Sequence, residues 1–304
     1  MKLKTKDFLS FDEIDKKETR KIIDLAIKLK KDLKKSSSKQ PLKNKTLAMI
    51  FQKPSTRTRV SFETGMYQLG GHALYLSPDD MQLSRGETIE DTAKSLSRYV
   101  DVIMARVFDH STLESLAGNS SIPVINGLSD SFHPCQILAD LMTIKEKKKK
   151  FDGLKICWVG DGNNVCNSLI YGCSKVGIDI SIATPKEFQP LSKVVKDSKK
   201  LINVELTSDP KNAVKNSDIV MTDTFSSIHN KDPKRIKKFL PKYQVNDSLM
   251  KSAKKDAIFM HCLPAKRGQE VSASVIDGPR SVVWDEAENR LHSQKALLLA
   301  LLGI

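Results

Sequence analysis

Two arginines in the first turn of a helix sit badly there, because the helix dipole already places positive charge at that end. Residues 54–65 nevertheless read Pro-Ser-Thr-Arg-Thr-Arg-Val-Ser-Phe-Glu-Thr-Gly, directly after the apolar run 46–51. That run reads as a buried strand broken at Pro54, with Ser55 where a helix N-cap belongs. Unpaired N–H groups, the dipole and the guanidinium groups of Arg57 and Arg59 then converge on one point suited to a phosphate. The alternative is a pair of surface arginines answered by Asp or Glu.

Other polar groups follow strand-like runs. After residues 123–127 comes Ser131-Phe-His133-Pro-Cys135-Gln136. Pro134 suits a first helical position, and His133 and Gln136, three apart, share a face. An imidazole that donates to a carbonyl oxygen beside an orienting amide is one reading; a histidine that only caps the helix is the other. After residues 257–260 comes His261-Cys262-Leu263-Pro264, whose cysteine reads as a nucleophile, a soft hydrogen-bonding group or a small buried hydrophobe. His133, Cys135, His261 and Cys262 lack metal-site spacing, so no metal is expected. Gly160-Asp161-Gly162-Asn163-Asn164 lacks the third glycine of a dinucleotide fingerprint and better suits an amide that grips a carboxylate. Asp223 ends another strand, with Ser226 and Ser227 close behind; it holds an ammonium group or caps the next turn. Arg106 closes the run 101–107 as a second anion ligand, and Gln82, Ser84, Arg85 and Glu87 form a polar loop before a helix at 88–99.

These groups need a scaffold that gathers strand ends. A helix at 13–35, fronted by a capping box of Ser10 and Glu13, precedes strands at 46–51, 72–76, 101–107 and 123–127. Helices are expected between them at 56–69, 88–99 and 111–116, and then at 134–146. The lysines after Glu146 mark a boundary. Strands then follow at 154–159, 179–183, 204–207, 218–222, 257–260 and 281–284, with helices at 163–176 and from 233 to 240 and a closing helix at 286–302. Alternation of this kind predicts an α/β protein of two domains, each a parallel sheet flanked by helices. Their expected extents are 1–147 and 148–285, with the closing helix after them. In such sheets ligands bind outside the carboxyl ends of the strands.

A chain of 304 residues suits two cores better than one. No run approaches the ~20 apolar residues of a membrane span. Cys135, Cys157, Cys166, Cys173 and Cys262 are odd in number and form no disulfide framework, so a cytoplasmic location is expected. The net charge of +14 collects in lysine runs with few aromatics between them, which favours solvated helix faces over nucleic-acid binding.

Ser55-Thr-Arg-Thr-Arg59, His133-Pro-Cys-Gln136 and His261-Cys-Leu-Pro264, in this order, resemble the motifs of the aspartate/ornithine carbamoyltransferase family over nearly the whole chain. His-Cys-Leu-Pro resembles the ornithine branch, since the aspartate branch typically carries His-Pro-Leu-Pro. The resemblance implies an N-terminal carbamoyl-phosphate domain, a C-terminal amino-acid domain, a last helix (286–304) that packs back on the first domain, and a catalytic homotrimer with sites at subunit interfaces. It implies no cofactor, and carbamoyl transfer to the δ-amine of ornithine in arginine biosynthesis, with putrescine or acetylornithine as rival acceptors.

By the same resemblance Ser55, Thr56, Arg57, Thr58 and Arg106 hold the phosphate. Thr58, Arg106 and His133 polarise the carbamoyl oxygen. Gln136, the carbonyls of Cys262 and Leu263, and Arg290 orient the carbamoyl amide, and Gln82 reaches a neighbouring subunit. Asn164 takes the ornithine carboxylate, Asp223 and Ser227 its α-amino group, and Cys262 lies near the δ-amine. One stretch departs from the family: Ile228-His229 stand where the ornithine branch usually has Met-Gly, in the loop that closes over the acceptor.

Overall fold

The computed structural model describes residues 2–34, 39–225 and 233–304. The chain divides into two compact units, Met1–Met142 with Glu288–Ile304, and Thr143–Ala287.

The first unit runs α1 (Lys16–Lys34), β1 (Thr46–Phe51), α2 (Thr56–Gln68), β2 (His72–Leu76), α3 (Ile89–Tyr99), β3 (Val102–Arg106), α4 (His110–Asn119), β4 (Val124–Leu128) and α5 (Pro134–Lys148). Its four strands lie parallel in the order β2-β1-β3-β4. Strands β3 and β4 are buried throughout, as a sheet covered on both faces requires. Because β1 feeds β2 on one side while β3 pairs on its other side, the chain changes direction between β1 and β3. A crevice opens at the carboxyl ends there. Phe51 and Arg106 are register partners across it, and Gln52 N donates to Arg106 O at 2.8 Å.

The second unit contains β5 (Lys155–Val159), α6 (Asn164–Val176), β6 (Asp179–Ala183), α7 (Ser192–Ser198), β7 (Val204–Thr207), α8 (Pro210–Val214), β8 (Ile219–Thr222), α9 (Pro233–Phe239), α10 (Asp247–Met250), β9 (Ile258–His261) and α11 (Ala273–Ile276), then the start of α12 (Val283–Leu302). Five parallel strands take the order β7-β6-β5-β8-β9, so the direction changes between β5 and β8. Phe225 and Phe239 stack at 4.5 Å within the core of this unit.

Three details depart from the sequence reading. Residues 281–284 are not a strand. Ser281 forms a single bridge with Phe259, and α12 begins at Val283, its β-branched start buried as part of the helix. The Ser10–Glu13 capping box exists, but it fronts the short 3-10 turn Phe11–Glu13. The long helix has its own reciprocal pair, with Glu18 N donating to Asp15 Oδ1 at 2.8 Å and Asp15 N to Glu18 Oε2 at 3.0 Å. The lysines around residue 147 fall in the last turn of α5, where they complement the dipole, and the two units change over inside that helix. Residue 35, expected to end the first helix, lies outside the described residues.

From Glu288 onward α12 belongs to the first unit and packs on α2. The approach is close at Gly65, where a Cβ would stand 3.3 Å from Lys295 Cγ and 3.6 Å from Leu291 Cδ1.

Candidate active site

In the first unit the direction change is lined by the start of α2. Ser55 has extended backbone (φ −160°), and its Oγ accepts from Thr58 N at 3.4 Å, so the cap expected from the sequence is present. Neither Asp nor Glu occupies the first turn. The two arginines separate. Arg59 pairs with Glu63 one turn on, Nε to Oε1 at 2.9 Å, and lies 3.9 Å from the Tyr75 ring. It follows the alternative of an arginine answered by its own helix. Arg57 is half-buried, and Thr56 is exposed.

Buried polar groups stand behind this turn. Arg290 on α12 donates from Nη1 to Gln136 Oε1 at 2.6 Å and from Nη2 to Thr58 Oγ1 at 3.2 Å. Gln136 in turn donates to Asp140 Oδ1 at 2.9 Å. With its amide oxygen turned to the guanidinium, Gln294 accepts from Arg290 Nε at 3.2 Å and Nη2 at 3.0 Å. Arg290 is therefore held from three sides and presents a fixed charge. His133 is buried, and its pKa is held well below the ordinary value by that burial first, then by Arg290, Arg106 and Arg57. At neutral pH it is an uncharged imidazole that can donate one hydrogen bond. Three guanidinium groups around a neutral donor suit an oxyanion that forms beside a phosphate.

In the second unit the direction change between β5 and β8 brings together the turn 160–164 and Asp223. Gly162 is required there: a Cβ would meet Phe188 O and Gln189 C at 2.5 Å and Pro190 N at 2.3 Å. Asn163 caps α6, its Oδ1 accepting from Val165 N and Cys166 N, while its Nδ2 donates to Asp223 Oδ2 at 2.8 Å. Asn164, the first residue of α6, is buried and its Oδ1 accepts from Val165 N at 3.0 Å. Thr222 and His261 are register partners on β8 and β9, which sets the residues after them side by side. Cys262 Sγ accordingly donates to Asp223 Oδ1 at 3.2 Å. Asp223 is thus gripped by a thiol and an amide. Leu263 adopts a left-handed backbone (φ 57°), a conformation that costs a non-glycine residue about 1–3 kcal/mol. Ser227, Ile228 and His229 lie outside the described residues, and Gln82 stands exposed on the 3-10 turn Gln82–Arg85.

The cysteine chemistry divides in the same way. Burial pushes the Cys135 thiol up to about 12, and its Sγ donates to Asn126 O at 3.3 Å, so it is a core thiol rather than a metal ligand. Asp223, His261 and Cys262 place ligand-type atoms within 4.8 Å of one another. His261 is the poor member of that set, because both its ring nitrogens already bond protein groups.

Sequence reasoning passed over Asp140, Gln294 and Arg235, and placed Asn163 in the 160–164 turn without giving it a role of its own. Asn163 carried a signal as an Asn directly before an apolar-periodic run. Arg235 carried none: it pairs with Asp161 across 74 residues, and its Nε donates to Phe225 O at 3.2 Å.

Comparison with known proteins now bears on this geometry. Residues 6–146 match the family model described as aspartate/ornithine carbamoyltransferase, carbamoyl-P binding domain, and residues 152–301 match the Asp/Orn binding domain of the same family. The chain belongs to the aspartate/ornithine carbamoyltransferase family. Its similarity to an ornithine carbamoyltransferase of Cenarchaeum symbiosum is 66% identity over 99% of each chain, and to that of Pyrococcus abyssi 53% over 99% of this chain and 97% of the other. The solved ornithine carbamoyltransferase of Pyrococcus furiosus matches with a TM-score of 0.94 at 52% identity, covering 98% of this chain and 97% of that one. The Thermus thermophilus structure gives 0.90 at 42%, covering 98% and 99%. The family's two named binding domains coincide with the two sheets whose direction changes gather the polar groups above.

Proposed function

We propose that the chain transfers the carbamoyl group of carbamoyl phosphate to the δ-amine of L-ornithine, giving L-citrulline and phosphate. The observation that carries this reading is the capped start of α2 at the β1/β3 direction change, with three guanidinium groups and a neutral His133 around it. The relatives named ornithine carbamoyltransferase, at up to 66% identity, support the acceptor.

The chemistry follows from the side chains. Ser55, Thr56, Arg57 and Thr58, with Arg106, take the phosphate oxygens through N–H groups, hydroxyls and guanidinium charge. Thr58, Arg106 and His133 donate to the carbamoyl oxygen. The neutral δ-amine attacks the carbamoyl carbon, and these donors stabilise the negative charge that grows on that oxygen. The carbon–oxygen bond to phosphate then breaks, its electron pair leaving with the phosphate, and the proton shed by the nitrogen is taken up by that phosphate. Gln136, already fixed by Arg290 and Asp140, orients the carbamoyl amide. The carbonyls of Cys262 and Leu263 are assigned to that amide on the strength of the motif. Asn164 takes the ornithine carboxylate, while Asp223 and Ser227 take the α-amino group. Ile228 and Cys262 line the rest of the acceptor. Binding both reactants at once supplies much of the acceleration.

The same reading extends to a homotrimer in which Gln82 serves a neighbouring subunit, to a cytoplasmic location, which the five free thiols support, and to arginine biosynthesis. No helix among the described residues is long and apolar enough to cross a membrane. Steady-state assays with ornithine, putrescine and acetylornithine test the acceptor. Citrulline and phosphate in equal amounts are expected from ornithine, and faster turnover of either rival rejects the assignment.

A further inference from the structure

His261 sits at the end of β9, wholly buried, in the motif that carries Cys262. Leu263 N donates to His261 Nδ1 at 2.9 Å. A backbone N–H has no other role than donor, so Nδ1 is the acceptor and the ring proton lies on Nε2. Nε2 faces Glu270 Oε1 at 3.3 Å, and that same oxygen accepts from Lys266 N. The backbone N–H of His261 donates to Glu286 Oε2 at 2.9 Å. Two buried carboxylates therefore hold this histidine, one at its ring and one at its backbone. The ring in turn holds Leu263 N–H, across the residue whose thiol donates to Asp223.

We propose that His261, fixed as its Nε2–H tautomer by Glu270, is a positioning residue for the acceptor half of the reaction. It holds the left-handed turn at Leu263 and thereby keeps the Cys262 thiol on Asp223. The proposal rests on the assignment of Asp223 and Cys262 to the acceptor. His261 touches neither substrate in this account; it acts through the turn.

The test separates the two ring nitrogens. In His261→Asn the amide oxygen stands near the Nδ1 position and keeps an acceptor for Leu263 N–H, whereas His261→Gln reaches toward Glu270 and leaves that N–H without one. With ornithine, His261→Gln is expected to lose about 10²-fold in kcat, the effect of a small misplacement of a reacting group. His261→Asn is expected to stay within about tenfold of the parent, and KM for carbamoyl phosphate within about threefold in both. A purely structural role would lower both variants alike, and equal kcat losses overturn the proposal. Should either variant not fold, ¹⁵N NMR of histidine-labelled parent protein decides: Nε2 protonated and Nδ1 bare is expected, and a proton on Nδ1 overturns it. Absence of ornithine turnover by the parent protein would strike the acceptor assignment while leaving the tautomer result to stand by itself.

Discussion

Removing the Arg57 guanidinium takes away one of the charges that surround His133. Arg57→Gly is expected to lower kcat/KM for carbamoyl phosphate by at least about 10²-fold, the cost of one transition-state donor or more. Arg57 lies in the first turn, where glycine costs no more than the ~1 kcal/mol of a helix interior, so the urea midpoint should move little. Activity near the parent's at low carbamoyl phosphate contradicts the role. Arg59 offers the matched control, since it already answers Glu63, and Arg59→Gln should leave turnover within about threefold. His133 works in its neutral form well below the usual histidine range. Its replacement by Gln should therefore lower kcat without moving the acid limb of the pH profile between pH 6 and 7; a limb that vanishes with the imidazole would show that His133 titrates there. The split between Arg57 and Arg59 was half legible, because Glu63 lies four residues after Arg59 and nothing of the kind follows Arg57.

Among the elements, α12 carries a titrating group with a consequence for stability. Burial, then Lys295 and Lys30, lower the pKa of His292 to about 4, against an opposing pull from Glu288. The unfolded chain binds this proton near pH 6.5 and the folded chain does not. The stability present above pH 6.5 is thus lost progressively as pH falls toward about 4. In His292→Asn the urea midpoint should fall less steeply over that window than in the parent; an unchanged slope contradicts the assignment. Gly162 makes a second test, because a Cβ there meets backbone atoms at 2.3–2.5 Å that cannot yield cheaply. Gly162→Ala should lower thermal stability by several degrees and weaken ornithine saturation, read from melting and from KM. Many strand ends were legible because Pro or Gly follows the apolar run, as at Pro54, Pro78, Gly160 and Pro264, and Asp closes others, as at Asp223. Residues 281–284 misled because Val-Val favours a strand locally, while the fold buries it at the start of a long helix. Asn163 and Asn164 could not be told apart, as the residue that meets Asp223 depends on the angle at which α6 leaves its cap.

At the scale of the whole molecule, both sheets change direction once, and each change carries one set of polar groups. Alternating strands and helices made the two parallel sheets legible, but strand order is set by packing over long separations, so the direction changes were not. Pairings such as Arg235 with Asp161 share that invisibility. The net charge of +14 collects in lysines on helices and at their ends, as in the last turn of α5. Duplex DNA should accordingly fail to bind at physiological salt, and sedimentation should report three chains per particle. A monomer that turns over ornithine at the full rate would refute the role given to Gln82. The central claim is that the capped start of α2 and its guanidinium groups receive the leaving phosphate. A crystal structure with a phosphonate analogue of carbamoyl phosphate tests it most directly. The phosphonate is expected within hydrogen-bond reach of the 55–58 backbone, Arg57 and Arg106. A phosphonate bound elsewhere, with that turn occupied by the protein's own carboxylates, would contradict the account.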